Sequence, residues 1–302
     1  MKVLIIGYGS IGKRHEEVLS TFLQIESIHI VTKQILEHKI TFPTLDSVEK
    51  LESYDYIVIA SETYKHFEQL AYLESNVSQK LILCEKPLFE TDKTLDISHN
   101  SVFLGYVLRF HPLVQKLKTL LYNEKVMSVN VYCGQYLPTW RKDTDYRSSY
   151  SAKKTEGGGV LLDLSHEIDY VQWLCGNMVE IQSYQLKISD LEIDSDDIVT
   201  LIAKTQKGVV VSLSMDYISK ITRRHMVVHT LEHTYELDFI NHSLIQKNKE
   251  GLEQRYECNS LERNSMFKEM HKSILCNDST ACTYLEAQDV MKTIAIIQEQ
   301  NR

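Results

Sequence analysis

Long apolar runs, a basic excess and linker-like stretches are all missing from this chain of 302 residues. No apolar run approaches the ~18 residues that a membrane-spanning helix needs, so no membrane partner is expected. Lys and Arg number 33 against 41 Asp and Glu, a net charge of -8. A non-specific nucleic-acid binder needs a basic surface to neutralise phosphates, so that role is excluded, although a local basic pocket for one small anion is not. Prolines are only four, and none marks a linker. Neither an internal repeat nor a low-complexity tract is found. The six cysteines (Cys84, Cys133, Cys175, Cys258, Cys276 and Cys282) include no C-x-x-C pair and no zinc-like grouping with histidines. They read as reduced, mostly buried thiols of a cytosolic protein. The opening apolar run is too short for a signal peptide and leads straight into a glycine loop. The expected location is therefore the cytoplasm.

What is present suits two domains of ordinary size. In the first part, short apolar runs alternate with helical patterns. Strands are predicted over Val3–Ile6, Ser27–Val31, Tyr56–Ala60, Lys80–Cys84 and Val102–Tyr106, with helices over Lys13–Phe22 and His66–Ser75. Such alternation indicates βαβ units and a doubly wound parallel sheet, an α/β fold. Beyond about residue 120 the pattern changes. A half-buried strand is predicted over Val126–Cys133, then a polar and aromatic loop to Glu156, then a helix from Leu161 to Gly176. Alternating strands with turn signals fill Val179–Lys247, an antiparallel meander, and two helices over Ser260–Leu275 and Tyr284–Glu299 close the chain. The expected division is residues 1–118 for a dinucleotide-binding domain and 119–302 for an α+β domain that binds substrate and mediates oligomerisation.

Gly7-Tyr8-Gly9-Ser10-Ile11-Gly12 is a G-x-G-x-x-G loop between the first strand and the first helix. The first glycine permits the tight turn and the second lets the backbone approach a pyrophosphate. The third allows helix and strand to pack, and the helix N-terminus offers N–H groups to the anion. An acid after the second strand would bind the ribose 2′-hydroxyl of NAD. Here Thr32-Lys33 follow instead, and Arg14 adds charge. NADP or NAD is the expected cofactor, with NADP favoured. The alternative for the loop is a glycine-rich packing turn, and for Lys33 a solvated surface residue.

Two further segments carry chemistry. Cys84-Glu85-Lys86-Pro87 follows a buried strand, at the sheet edge where parallel sheets bind ligands. The proline can fix the loop, through a cis bond, and aim the Lys86 ammonium at a sugar oxygen. Gly157-Gly158-Gly159 open a helical pattern in which Asp163 and His166, three residues apart, share a face. An imidazole beside a carboxylate suits acid/base work near neutral pH. A surface lysine, a helix-capping aspartate and a core histidine are the structural alternatives.

Together these segments resemble the glucose–fructose oxidoreductase / inositol dehydrogenase / MocA (Gfo/Idh/MocA) family. The resemblance rests on G-Y-G-S-I-G-K-R-H at the start, A-S-E-T-Y-K-H at 60–66 and E-K-P-L at 85–88. G-Y-V-L-R-F-H-P at 105–112 and G-G-G-V-L-L-D-L-S-H-E-I-D at 157–169 complete it. It implies a Rossmann domain followed by an α+β domain whose open, mostly antiparallel sheet forms subunit contacts, in a homodimer or homotetramer. It implies Lys86 beside the nicotinamide and the reacting carbon, His166 as acid/base, and Asp163 orienting groups beside it. Ala60, Ser61, Thr63 and His66 would line the path from adenine to nicotinamide, with Glu85 close to the cofactor. One departure stands out: many members place the histidine four residues after the aspartate, and here Glu167 holds that position.

The loop from Gly134 to Lys154 carries Tyr136, Trp140, Arg141, Tyr146, Arg147, Tyr150 and Lys153. Aromatic faces suit a sugar ring, and arginines suit phosphate or carboxylate groups. Tyr136, Trp140, Arg141, Tyr146 and His166 are therefore expected at the substrate, with Arg109 shaping the site. Arg223-Arg224-His225 is expected to cover a sheet face or an interface. The wording of the loop resembles family members associated with bacterial surface-glycan sugars. That implies a phosphorylated or nucleotide-linked sugar, including one on a nonulosonic acid route. The reading is an NAD(P)-dependent sugar dehydrogenase or reductase. A non-catalytic dinucleotide sensor of the same fold would be expected to lack the lysine and histidine, and both are present. An unrelated Rossmann activity such as methyl transfer would not call for the later motifs.

Overall fold

The structure is a computed structural model that describes residues 1–140, 145–258 and 261–301. The elements begin with β1 (Lys2–Ile6), α1 (Ser10–Leu19), β2 (Ser27–Val31), β3 (Thr41–Phe42) and β4 (Tyr56–Ile59). Next come α2 (His66–Asn76), β5 (Leu81–Cys84), β6 (Ser101–Leu104), α3 (Pro112–Leu121) and β7 (Val126–Gly134). Helices α4 (Val160–Asp163) and α5 (His166–Cys175) precede β8 (Met178–Leu186), β9 (Ile198–Thr205), β10 (Val210–Asp216) and β11 (Arg223–Thr230). The chain closes with β12 (His233–Asp238), β13 (Ser243–Asn248), β14 (Glu253–Glu257), α6 (Ser265–Cys276), β15 (Cys282–Thr283) and α7 (Tyr284–Gln300).

The chain forms two compact units. The first comprises Met1–Phe110 with Glu262–Gln288, and the second His111–Leu261 with Asp289–Arg302. They are not consecutive stretches, because the segment carrying α6 and β15 returns to the N-terminal unit.

In the first unit the sheet runs β15-β6-β5-β4-β1-β2-β3, parallel except for β15, which pairs antiparallel with β6. Strands β1, β4 and β5 are almost wholly apolar and buried because helices cover both faces of a parallel sheet. From β1 the chain moves outward to β2 and β3, then crosses to β4 on the other side. This reversal is the topological switch point, where ligands bind at the carboxyl ends of the strands. Val3, Ile5, Tyr56, Val58 and Leu83 of the sheet pack in one cluster with Phe267, Met270 and Ile274 of α6, so the returning helix completes this core.

The second unit holds an eight-stranded sheet, β14-β13-β12-β11-β7-β10-β9-β8, antiparallel except where β7 meets β10. Alternation along β9 and β10 puts Val199, Leu201, Val211 and Leu213 in the core and leaves Ile202 and Val210 outside. The helix predicted from Leu161 to Gly176 is two helices. Leu164 leaves helical geometry (φ -98°, ψ 22°), which separates α4 from α5. Asp163 therefore ends one helix and His166 begins the next, so the i, i+3 spacing of a single helix does not relate them. Gly176, at φ +90°, ends α5 in a conformation that favours glycine.

Candidate active site

At the switch point of the first unit, β1 runs into the glycine loop. Gly7 has φ +95°, and a Cβ there would lie 2.7 Å from Ala60 O and from Ser61 backbone atoms. A Cβ on Gly12 would lie 2.2 Å from Gly7 O. Gly9 differs, since a Cβ there would meet nothing within 4 Å. It is the N-cap of α1, no described side chain caps that end, and no acid sits in the first turn. The exposed backbone of Gly9 and Ser10 thus leaves N–H groups and positive helix-dipole charge facing open space. These observations fit a dinucleotide's pyrophosphate; Ile11 and Gly12 follow within the first turns of α1.

Around this cradle, sequence reasoning found some residues and missed others. Thr32 accepts a bond from Gln34 N at 3.2 Å, and Gln34 Nε2 donates to Tyr8 O at 3.0 Å, tying the loop after β2 to the glycine loop. Lys33 is exposed. Lys39, not anticipated, ion-pairs with Glu16 and donates to the Tyr8 hydroxyl at 3.1 Å. That hydroxyl in turn donates to Glu16. Lys13 and Lys39 place their ammonium groups 5.6 and 5.5 Å from the Tyr8 ring centre. Arg14 is half-buried, its guanidinium 5.1 Å from the Phe267 ring centre. Burial, then the nearby Arg263 charge, lowers its pKa.

Beyond β4, Ser61 donates to Gln69 Oε1 at 2.6 Å, and Thr63 opens a short 3-10 turn. His66 is 1% exposed. Its Nδ1 faces Pro87 O at 3.0 Å and its Nε2 faces Ser61 O at 3.1 Å, clipping this loop to the one after β5. Burial lowers its pKa despite these carbonyls. The loop after β5 contains a cis Lys86–Pro87 bond. Lys86 is half-buried there, and its N–H donates to Glu85 Oε2 at 3.3 Å. Arg109, 1% exposed, ion-pairs with Glu286 at 3.1 Å.

In the second unit, the three glycines let the chain fold tightly ahead of α4. A Cβ on Gly158 would lie 2.1 Å from Tyr150 O, and one on Gly159 (φ +116°) 2.2 Å from Asp196 Oδ1. Asp196 accepts from Leu161 N and from Gln185 Nε2, both at 2.9 Å, and burial raises its pKa. Asp163, 6% exposed, accepts a 2.5 Å bond from the Tyr217 hydroxyl. Trp140 packs edge-on to Tyr217, ring centres 5.1 Å apart. Tyr136 lies under Lys220, whose ammonium is 4.3 Å from the ring centre. The Tyr146 hydroxyl accepts from Glu192 N at 3.2 Å. Arg141 lies outside the described residues.

His166 is half-buried at the start of α5. Glu167, in the position where many members of the resembled family hold histidine, is fully buried and bound by both Nε (2.5 Å) and Nη2 (2.9 Å) of Arg224. Its carboxylate is consumed by that pair, leaving His166 as the imidazole of this segment. Arg224, on β11, thus has its partner on α5. No group of potential metal ligands is found among the described residues, and no described helix is long and apolar enough to cross a membrane.

Residues 1–97 match the model of an oxidoreductase family with an NAD-binding Rossmann fold. Residues 114–236 match the Gfo/Idh/MocA C-terminal domain. The chain belongs to the Gfo/Idh/MocA family of oxidoreductases. It is similar to the glucose-6-phosphate 3-dehydrogenase of Bacillus subtilis, 25% identical over 70% of this chain and 66% of that enzyme. It is also similar to the 2,7-anhydro-N-acetylneuraminate hydratase of Mediterraneibacter gnavus, 28% identical over 45% of this chain and 37% of that protein. The chain thus spans just under two thirds of the first relative's length and much less of the second's. Its fold matches that of UDP-N-acetylglucosamine 3-dehydrogenase from Acidithiobacillus ferrooxidans, with TM-score 0.76 and 17% identity, covering 100% of this chain and 97% of that one.

Proposed function

We propose that this protein is an NAD(P)-dependent oxidoreductase that moves a hydride between the cofactor and a secondary alcohol, or the corresponding ketone, of a sugar derivative. The observation that carries the proposal is the uncapped α1 N-terminus at Gly9, open to solvent at the switch point of the parallel sheet. The bound nicotinamide supplies hydride chemistry. Gly9 and Ser10 hold the pyrophosphate by backbone N–H groups. Thr32 and Lys33 stand where an acid would select NAD, which favours NADP. Lys86, on a loop held by His66 and Pro87, hydrogen-bonds the sugar oxygen and stabilises charge on it. His166 takes or returns the hydroxyl proton, and Asp163, fixed by Tyr217, orients groups beside it. Trp140 and Tyr136 offer apolar faces to the sugar ring.

The substrate in this reading is a phosphorylated or nucleotide-linked sugar of bacterial surface-glycan synthesis, including nonulosonic acid routes. The names of the similar proteins support that range, which spans a sugar phosphate, an anhydro-neuraminate and a UDP-sugar. A homodimer or homotetramer, formed through the outer sheet face that carries Tyr184 and Ile202, is part of the same proposal. Fluorescence titration with NADPH and NADH, followed by turnover of a sugar phosphate and sugar-nucleotide panel with Lys86→Ala as control, tests it. Tight NADPH binding with turnover lost in the variant supports the proposal. Binding of neither nucleotide overturns it.

A further inference from the structure

Three buried polar groups of the first unit and one half-buried carboxylate form a continuous chain of contacts. Tyr56 OH lies 2.9 Å from His271 Nδ1, and His271 Nε2 lies 2.9 Å from His15 Nδ1. His15 Nε2 lies 2.9 Å from Glu85 Oε1. Tyr56, His15 and His271 are all 0% exposed, and the Glu85 side chain is 14% exposed. They come from β4, α6, α1 and the loop after β5, with 256 residues separating the two histidines. The role already assigned to Lys86 makes no use of them.

With both histidines neutral, the order of donors follows from the carboxylate end. Glu85 as a carboxylate only accepts, so His15 donates from Nε2, and with that imidazole neutral its Nδ1 accepts. His271 must then donate from Nε2, which leaves its Nδ1 to accept from the Tyr56 hydroxyl. Every group is satisfied with both histidines neutral, and every donor points toward Glu85. Burial raises the Tyr56 pKa and lowers that of His271, which favours the same protonation. The line ends in the core at Tyr56, so it does not lead a proton to solvent. It can hold the Glu85 carboxylate in place. Lys86 N–H binds the other oxygen, and a Cβ on Gly105 would meet the carboxylate at 2.8 Å, so backbone closes the remaining side.

We propose that Tyr56, His271 and His15 are positioning residues that act through Glu85, a one-way chain of donors that fixes its carboxylate beside the Lys86 loop. The proposal rests on the oxidoreductase reading, under which Lys86 lies beside the nicotinamide and Glu85 close to the cofactor. If it holds, the hydride-transfer step depends on a hydroxyl at the far end of the chain, in the middle of the core.

Truncating a buried histidine would empty the core, so the test uses ¹⁵N spectra of the intact protein and the ring-preserving Tyr56→Phe variant. At pH 7.5 the spectra are expected to show His15 and His271 neutral and protonated at Nε2. Tyr56→Phe is expected to lower kcat about tenfold, as losing an orienting partner does for metal-bound histidines. KM should stay within about twofold, because the ground-state contacts are untouched. An imidazolium or an Nδ1–H tautomer at either histidine overturns the proposal. So does a variant whose kcat is unchanged, or whose only change is in melting temperature or KM. A wild-type protein that binds neither NADPH nor NADH would remove the reading on which Glu85 acquires its role. Wrong tautomers in an active enzyme would remove this proposal alone.

Discussion

Tyr217 donates a 2.5 Å hydrogen bond to the Asp163 carboxylate, and both side chains are buried in the second unit. Tyr217 follows β10 and Asp163 ends α4, so this bond ties the sheet to the helical segment that contributes His166. Tyr217→Phe keeps the ring against Trp140 and removes one buried hydrogen bond to the carboxylate. A hydrogen bond to a charged group is worth about 1.5–3 kcal/mol. The variant should lose stability in that range by urea denaturation and lose turnover as well. Unchanged stability would mean that this bond contributes nothing to the fold.

The three glycines of the first loop should respond differently to alanine. Gly7→Ala and Gly12→Ala drive a Cβ into backbone at 2.7 and 2.2 Å, so melting temperature should fall sharply. Gly9→Ala meets open space and should leave the melting temperature nearly unchanged. That space is where the pyrophosphate is proposed to lie, so NADPH affinity should drop at least about tenfold, roughly 1.4 kcal/mol. Equal affinity in Gly9→Ala and wild type would move the pyrophosphate elsewhere.

Glu167 and Arg224 form a buried, two-pronged ion pair. Removing one member leaves an uncompensated charge, at a cost of about 3–5 kcal/mol. Arg224→Met should therefore destabilise strongly in chemical denaturation. The double variant Arg224→Met/Glu167→Gln should recover much of the loss, because no lone charge remains. A double variant no better than the single one would contradict this account.

His111 caps α3 by accepting from Leu113 N, and burial, with help from His242 and Arg224, lowers its pKa from 6.5 to about 4. Below pH 6.5 the unfolded chain takes up a proton that the folded chain refuses. Stability therefore rises with pH and is lost progressively as pH falls from about 6.5 to about 4, by at most about 3 kcal/mol. His111→Asn keeps a cap acceptor and removes this titration. Denaturation midpoints measured between pH 4.5 and 7.5 should show a shallower slope in the variant.

The parts of the fold legible in sequence are those encoded over short spans. The glycine loop, the Glu85-Lys86-Pro87 turn and the glycines before α4 each constrain a few neighbouring residues to one backbone path, and period-two alternation marked β9 and β10. What escaped notice depends on distant partners or on one dihedral. Leu164 carries no breaker signal, yet its ψ of 22° divides the helix, with Asp163 ending one part and His166 beginning the next. Lys39 reads as one more loop lysine until the chain brings it to Tyr8 and Glu16. His271 lies on an ordinary amphipathic helix pattern, and nothing local pairs it with His15. The Arg223-Arg224-His225 run gives no hint that Glu167, 57 residues away, pairs with Arg224.

The return of Glu262–Gln288 to the first unit also bears on how the protein is made. Domains commonly fold in order as they leave the ribosome, the N-terminal one first. Here the first unit lacks Phe267, Met270 and Ile274 of its core, and the His271 partner of Tyr56, until synthesis has passed residue 274. Its first 110 residues must wait, with apolar surface exposed, while the entire second sheet is translated. Nascent chains stalled before residue 262 should engage chaperones and yield to protease throughout the glycine-loop region, and release from that state should coincide with the emergence of α6.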